Sequence, residues 1–126
     1  MRILLDTHYL LWWLGATPEL GARARDIISE PANLIFYSVA SLWELRIKEG
    51  VGKIDLPDSF AETLAQQSFE ALPVTVSHTE ALRGLPLHHR DPFDRMLVAQ
   101  ARTDRLTILT RDQAIARYDV DHLLLL

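Results

Sequence analysis

Met1-Arg2-Ile3-Leu4-Leu5-Asp6-Thr7-His8-Tyr9-Leu10-Leu11-Trp12-Trp13-Leu14 opens the chain. Ile3 to Leu5 is an unbroken apolar run, the pattern of a short strand buried on both faces. Asp6-Thr7 stops it, and both residue types start helices by accepting from free backbone amides. Residues 9 to 14 are apolar on all sides. That exceeds the single stripe of a surface helix, so this segment is either fully buried or covered by a partner. A buried strand feeding directly into a helix is the first half of a strand–helix–strand unit, and the rest of the chain repeats the alternation.

Moving outward, Pro18 to Glu30 reads as a second helix with Leu20, Ala24, Ile27 and Ile28 on one face. Asn33 to Tyr37 is the next strand. Ser38 offers an N-cap for a helix through Lys48, ended by Gly50 and Gly52. Asp58 to Glu70 reads as a helix with Phe60, Leu64 and Phe69 inward. Leu72 to Val76 reads as a strand with Pro73 near its start, and Ser77 to Arg83 as a short helix. Pro92 to Arg105 is the clearest helix, with Phe93, Met96, Leu97 and Ala101 at helical spacing. Thr107 to Leu109 is a strand, Thr110 to Tyr118 a helix, and His122 to Leu126 a final strand at a sheet edge. Strands alternating with helices over the whole length predict an α/β fold, an open parallel sheet flanked by helices. With 126 residues and no linker, repeat or low-complexity tract, residues 1–126 are expected to be one domain.

Composition narrows the function. The 13 basic against 17 acidic residues give a net charge of −4, so bulk positive charge does not coat nucleic acid here. All basic residues except Lys48 and Lys53 are arginine, which fits phosphate recognition and equally a GC-rich coding sequence. The absence of cysteine excludes disulfides, thiolate nucleophiles and zinc–thiolate sites. No apolar run reaches the roughly 18 residues of a membrane span, and Asp6 comes too early for a signal peptide. A cytoplasmic protein without membrane contact is the expectation.

In an open parallel sheet, ligands bind beyond the carboxyl ends of the strands, near the point where strand order reverses. Four acids stand out: Asp6 after the first strand, Glu44 on the helix after the second, Asp94 in the first turn of the long helix, and Asp112 after the Thr107 to Leu109 strand, with Ser38 and Thr110 at the same level. If they converge at about 5 Å and an effective dielectric of about 20, each pair repels by roughly 3 kcal/mol and the whole set by about 20. A domain of ordinary stability needs protonation, basic partners or a divalent cation to bear that. An all-oxygen set without cysteine selects Mg²⁺ or Mn²⁺, and such an ion acidifies water and holds a phosphate oxygen, the requirements for phosphodiester hydrolysis.

Each acid also has a purely structural reading. Asp91-Pro92-Phe93-Asp94 fits a helix start, and Thr110-Arg111-Asp112-Gln113 fits a capping box. Glu44 and Lys48 are spaced as an i, i+4 pair, and Asp6 can cap the first helix. His88-His89 lack the spacing of two ligands on one helix, and His8, His78 and His122 are isolated, so no histidine is expected to bind metal. Neither a Gly-x-Ser-x-Gly elbow nor a phosphate-cradling glycine loop is present. Some of Arg90, Arg95, Arg102, Arg105 and Arg111 could guide a polyanion to an otherwise acidic site. Trp12, Trp13 and Trp43 read as core or interface.

Four blocks, in order, resemble the PIN-domain ribonucleases of the VapC toxin branch. They are Leu5-Asp6-Thr7-His8 with Leu11-Trp12-Trp13-Leu14; Ser41-Leu42-Trp43-Glu44-Leu45-Arg46-Ile47-Lys48; His89-Arg90-Asp91-Pro92-Phe93-Asp94-Arg95-Met96-Leu97-Val98-Ala99-Gln100-Ala101; and Leu109-Thr110-Arg111-Asp112. The resemblance spans the chain and implies a three-layer fold with Asp6, Glu44, Asp94 and Asp112 as the catalytic quartet. It further implies that Asp6, Asp94 and Asp112 hold Mg²⁺ or Mn²⁺, that Glu44 acts through water, and that Thr110 supports the site by hydrogen bonding. The implied substrate is RNA, and the implied partners are a cognate antitoxin and a second copy in a homodimer. Tyr9 and Asp119 depart from the pattern, where a small residue and a turn glycine are usual. Two other readings remain at this stage: a phospho-aspartyl protein of receiver or phosphatase type, and a non-catalytic interaction module whose acids are helix caps.

Overall fold

The computed structural model describes residues 1–125, so Leu126, the end of the expected last strand, lies outside the described residues. A five-stranded, wholly parallel sheet forms the centre. Its strands are β1 (Arg2–Leu5), β2 (Leu34–Ser38), β3 (Glu70–Leu72), β4 (Thr107–Thr110) and β5 (His122–Leu124), in the spatial order β3-β2-β1-β4-β5. The helices are α1 (Thr7–Gly15), α2 (Ala22–Ser29), α3 (Val39–Gly50), α4 (Phe60–Ala65), α5 (Val76–Ala81) and α6 (Pro92–Asp104).

The sheet is covered on both faces, and β1 shows why its sequence is uniformly apolar. Ile3 and Leu5 enter one cluster with Tyr9, Leu10, Leu20, Ala24 and Ile28. Leu4 points the opposite way, into a cluster with Leu97, Val98, Leu106 and Ile108. Successive side chains leave a strand on alternate faces, so a central strand between two helical layers needs apolar residues at every position. After β1 the chain adds β2 and β3 on one side, and β4 and β5 later join the other. Strand order therefore reverses between β1 and β4, which opens a crevice at their carboxyl ends.

Several expected elements come out differently. The helix expected over Pro18 to Glu30 is broken by Gly21, whose φ of +77° leaves a single 3-10 turn at Pro18–Leu20 before α2 begins. The Asp58 to Glu70 helix shortens to α4 because Glu70 belongs to β3. The strand expected at Leu72 to Val76 ends at Leu72: Pro73 has no amide to give the ladder. Thr75 instead caps α5 in a reciprocal box with His78. The Thr110 to Tyr118 helix does not form. The Asp112 amide donates to Thr110 Oγ1 and the Ala114 amide to Asp112 Oδ1, so side chains capture the donors a helix would use. Only a 3-10 turn at Ile115–Arg117 follows.

Candidate active site

Asp6 sits where β1 passes into α1. The Asp6 amide still donates to Leu109 O on β4, at 3.1 Å, while its side chain already serves the helix, Oδ1 accepting from the Tyr9 amide at 3.0 Å. The other oxygen, Oδ2, accepts from Thr110 Oγ1 at 2.7 Å. Thr110 closes β4, and its hydroxyl oxygen also accepts from the Asp112 amide at 3.0 Å. One threonine thus links the ends of the two strands that flank the crevice, and both acids depend on it. Burial pushes the Asp6 carboxyl above its ordinary value; the Thr110 and Tyr9 hydrogen bonds oppose this and the charge of Asp112 adds to it.

Asp94 enters from α6. Asp91 caps that helix, its Oδ1 accepting from the amides of Phe93 and Asp94, with Pro92 in the first turn. The Asp94 carboxylate is not spent on a cap: the amide of Asp91 donates to His89 Nδ1. Desolvation, then the charges of Asp91, Glu44 and Asp6, push Asp94 up to about 7, against the attraction of His89. Glu44, two turns into α3, is only 4% exposed. Its Oε2 takes the Lys48 ammonium at 2.7 Å, the i, i+4 pair expected from spacing, and this hydrogen bond raises the Lys48 pKa. Glu44 Oε1 is buried without a hydrogen-bond partner. An orphaned carboxylate oxygen in such a place is costly unless something absent from the chain itself meets it.

His89 joins the acids, contrary to the spacing argument. Its Nε2 lies 3.0 Å from Asp94 Oδ2 and 2.8 Å from Asp112 Oδ2, and one ligand atom from each of the three residues falls within 4.8 Å of the others. Because Nδ1 accepts from the Asp91 amide, the hydrogen-bond pattern assigns the ring proton to Nε2. The Tyr118 hydroxyl, accepting from the His89 amide at 2.9 Å, holds the loop in place. No periodicity announces this residue; it is set by a loop and two neighbours distant in sequence.

The structure therefore gathers His89, Asp94 and Asp112 into one cluster, ties Asp6 to it through Thr110, and leaves Glu44 near enough to perturb Asp94. Oxygen-rich donors, a carboxyl lifted to about 7 by burial and then by like charges, and an unmet Glu44 oxygen fit a hard divalent cation such as Mg²⁺ or Mn²⁺. Of the arginines, Arg95 is spent on Pro86 O, Leu85 O and the Tyr118 hydroxyl. Arg111 instead lies over the rings of Trp12 and Tyr9 at 4.6 and 5.7 Å.

The profile of the PIN domain matches residues 3–121. The chain belongs to the PIN domain family. PIN domains are nucleases, and an acid-lined crevice at the reversal of strand order suits that chemistry. No curated protein sequence matches this PIN domain. Among solved structures it is similar to a chain of VapBC2 from Rickettsia felis, bound there to a promoter DNA fragment (TM-score 0.75, 16% identity, covering 98% of each chain). It is also similar to a chain of FitAcB from Neisseria gonorrhoeae (TM-score 0.66, 22% identity, covering 96% of each chain). A domain of a functionally unknown protein from Methanocaldococcus jannaschii shares the fold as well (TM-score 0.56, 15% identity, covering 99% of this chain and 91% of that one). No helix among the described residues is long and apolar enough to cross a membrane.

Proposed function

We propose that this PIN domain is a divalent-metal-dependent endoribonuclease and the toxin of a toxin–antitoxin pair. The observation that carries the catalytic reading is the meeting of ligand atoms from His89, Asp94 and Asp112 within 4.8 Å of one another, around a carboxyl that burial first, and then the charges of Asp91, Glu44 and Asp6, push up to about 7. Asp6, Asp94 and Asp112 would hold Mg²⁺ or Mn²⁺, with Thr110 fixing the first and last of them. A bound ion would supply Lewis-acid polarisation of the phosphate and a lowered pKa for water. Glu44, with Oε2 pinned by Lys48, keeps Oε1 free to accept a hydrogen bond from water and orient it for in-line attack. His89 stands beside Asp94 and Asp112 as a donor that can meet an approaching phosphate oxygen. Attack on phosphorus with departure of the 3′-oxygen leaves a 5′-phosphate and a 3′-hydroxyl.

The toxin reading draws support from a second feature. A cleft of about 360 Å³ runs between α1 and α4, lined by Leu11, Trp12, Leu14, Pro57 and Phe60. It is the half-covered face of the helix that is apolar all round, and it suits the apolar segment of an antitoxin. VapBC2 and FitAcB share the fold, and the four sequence blocks resemble the VapC toxin branch. A homodimer belongs to the same proposal. The test is cleavage of single-stranded RNA in Mg²⁺ by the parent and by Asp6→Asn and Asp94→Asn. Both variants should keep the circular dichroism of the parent and lose at least about a hundredfold in rate, as loss of a metal-holding or transition-state contact costs. Parental rates in either variant would refute the assignment.

A further inference from the structure

Each acid of the site has a partner that restrains it, and the partners differ. Asp6 accepts from Thr110 and the Tyr9 amide, Glu44 takes Lys48, and Asp112 Oδ1 accepts from the Ala114 amide. The Asp94 carboxylate has a single polar contact among the described residues, His89 Nε2 at 3.0 Å. The same Nε2 makes a hydrogen bond to Asp112 Oδ2 at 2.8 Å. Asp94 lies in the first turn of α6 and Asp112 follows β4, so one ring atom spans acids from two separate elements. Both carboxylates are partly exposed. Like charges that reach solvent turn apart unless a donor stands between them.

The loop that carries His89 does not need this contact. The Tyr118 hydroxyl accepts from the His89 amide at 2.9 Å, and Arg95 on α6 donates to the same hydroxyl at 3.2 Å and to Pro86 O at 2.8 Å. His88 packs edge-on against the Tyr118 ring, centroids 4.9 Å apart. With the backbone so fixed, the His89 ring is left to serve the acids, and its chemistry restricts how. A neutral imidazole has one N–H and one lone pair. The Asp91 amide donates to Nδ1 at 3.1 Å and occupies the lone pair, which leaves Nε2 a donor with nothing to offer a cation.

We infer that His89 is a positioning residue: its Nε2–H holds the Asp94 and Asp112 carboxylates beside each other for a divalent cation and does not itself bind that cation. The inference rests on the metal-dependent reading above and deepens it. A group hydrogen-bonded to a metal-holding carboxylate sets its orientation, and losing such a group typically weakens metal binding by about ten- to a hundredfold. Contact with an incoming phosphate oxygen is a second use of the same N–H, so metal binding in the absence of RNA isolates the positioning role.

The test is titration calorimetry of Mn²⁺ and of Ni²⁺ into the metal-free protein, without RNA, for the parent, His89→Ala and His89→Gln. His89→Ala should weaken both ions by about tenfold or more, and to the same extent. His89→Gln, whose amide can place an N–H near the position of Nε2, should recover most of the loss. Circular dichroism should stay parental, since Tyr118 and Arg95 hold the loop. A loss of Ni²⁺ binding far beyond that of Mn²⁺ would reveal an imidazole ligand and overturn the inference, because nitrogen donors favour the later ion. Parental affinity in His89→Ala would overturn it too, and so would tighter binding, in which the N–H competes with the cation for the carboxylates. If His89→Ala does not fold, His89→Gln decides: near-parental affinity for both ions supports the inference, and any other result overturns it. A parent that binds neither ion overturns the metal-dependent reading itself, whereas full binding retained in His89→Ala leaves that reading standing.

Discussion

Asp94 brings the electrostatics of the site down to a single carboxyl. Its pKa of about 7 in the folded chain, against an ordinary 3.8, means that it binds more protons folded than unfolded between those values. The stability it contributes is thus greatest below pH 4 and is lost as pH rises toward 7. In EDTA, the melting temperature of Asp94→Asn should therefore gain on that of the parent between pH 5 and pH 8; a difference that stays flat would show that the carboxyl is not crowded. Thr110 carries a different load. Thr110→Val keeps the shape but removes the hydroxyl that donates to Asp6 and accepts from the Asp112 amide. It should cost about 1–3 kcal/mol in urea unfolding, the usual penalty for a buried group left unmet. Asp6, Glu44 and Asp112 are visible in the sequence because each follows a strand or lies on the helix after it, and Asp94 because it opens the clearest helix. His89 is not, because it stands in a loop held by the Tyr118 hydroxyl and the Asp91 amide, and Asp112, which it meets, is 23 residues away with no regular spacing to it.

The elements that sequence describes well carry their own start and stop signals. Asp91-Pro92 announces α6, and the structure has Asp91 capping it and Pro92 in its first turn. Asp91→Ala should lower stability by about 1 kcal/mol, a drop of roughly 3–6 °C in melting temperature. It should also slow RNA cleavage, since the same cap places Asp94; unchanged cleavage would separate the cap from the site. The pattern misleads where local chemistry competes with it. Thr110-Arg111-Asp112-Gln113 has the letters of a capping box, yet Thr110 and Asp112 each turn a side chain onto a backbone amide and hold the segment open. That open turn lets the Asp112 carboxylate reach His89. At Gly21 a positive φ divides what periodicity reads as one helix.

On the scale of the molecule, alternation of strands and helices is legible from residue patterns, whereas strand order is not. Nothing local says that β4 lies next to β1, and that pairing alone brings Asp112 beside Asp6. The same pairing makes β1 central: Leu4→Ala, fully buried between the layers, should cost about 2–5 kcal/mol, and a smaller loss in urea unfolding would mean the layers close around the gap. Such packing is what forces like charges together at the strand ends, and the proposed cation would relieve them. Titration calorimetry of Mn²⁺ into the metal-free protein at pH 8 tests this most directly. Saturable binding by the parent that disappears in Asp94→Asn is the expected result. Equal heats from both proteins, or none from the parent, would contradict it.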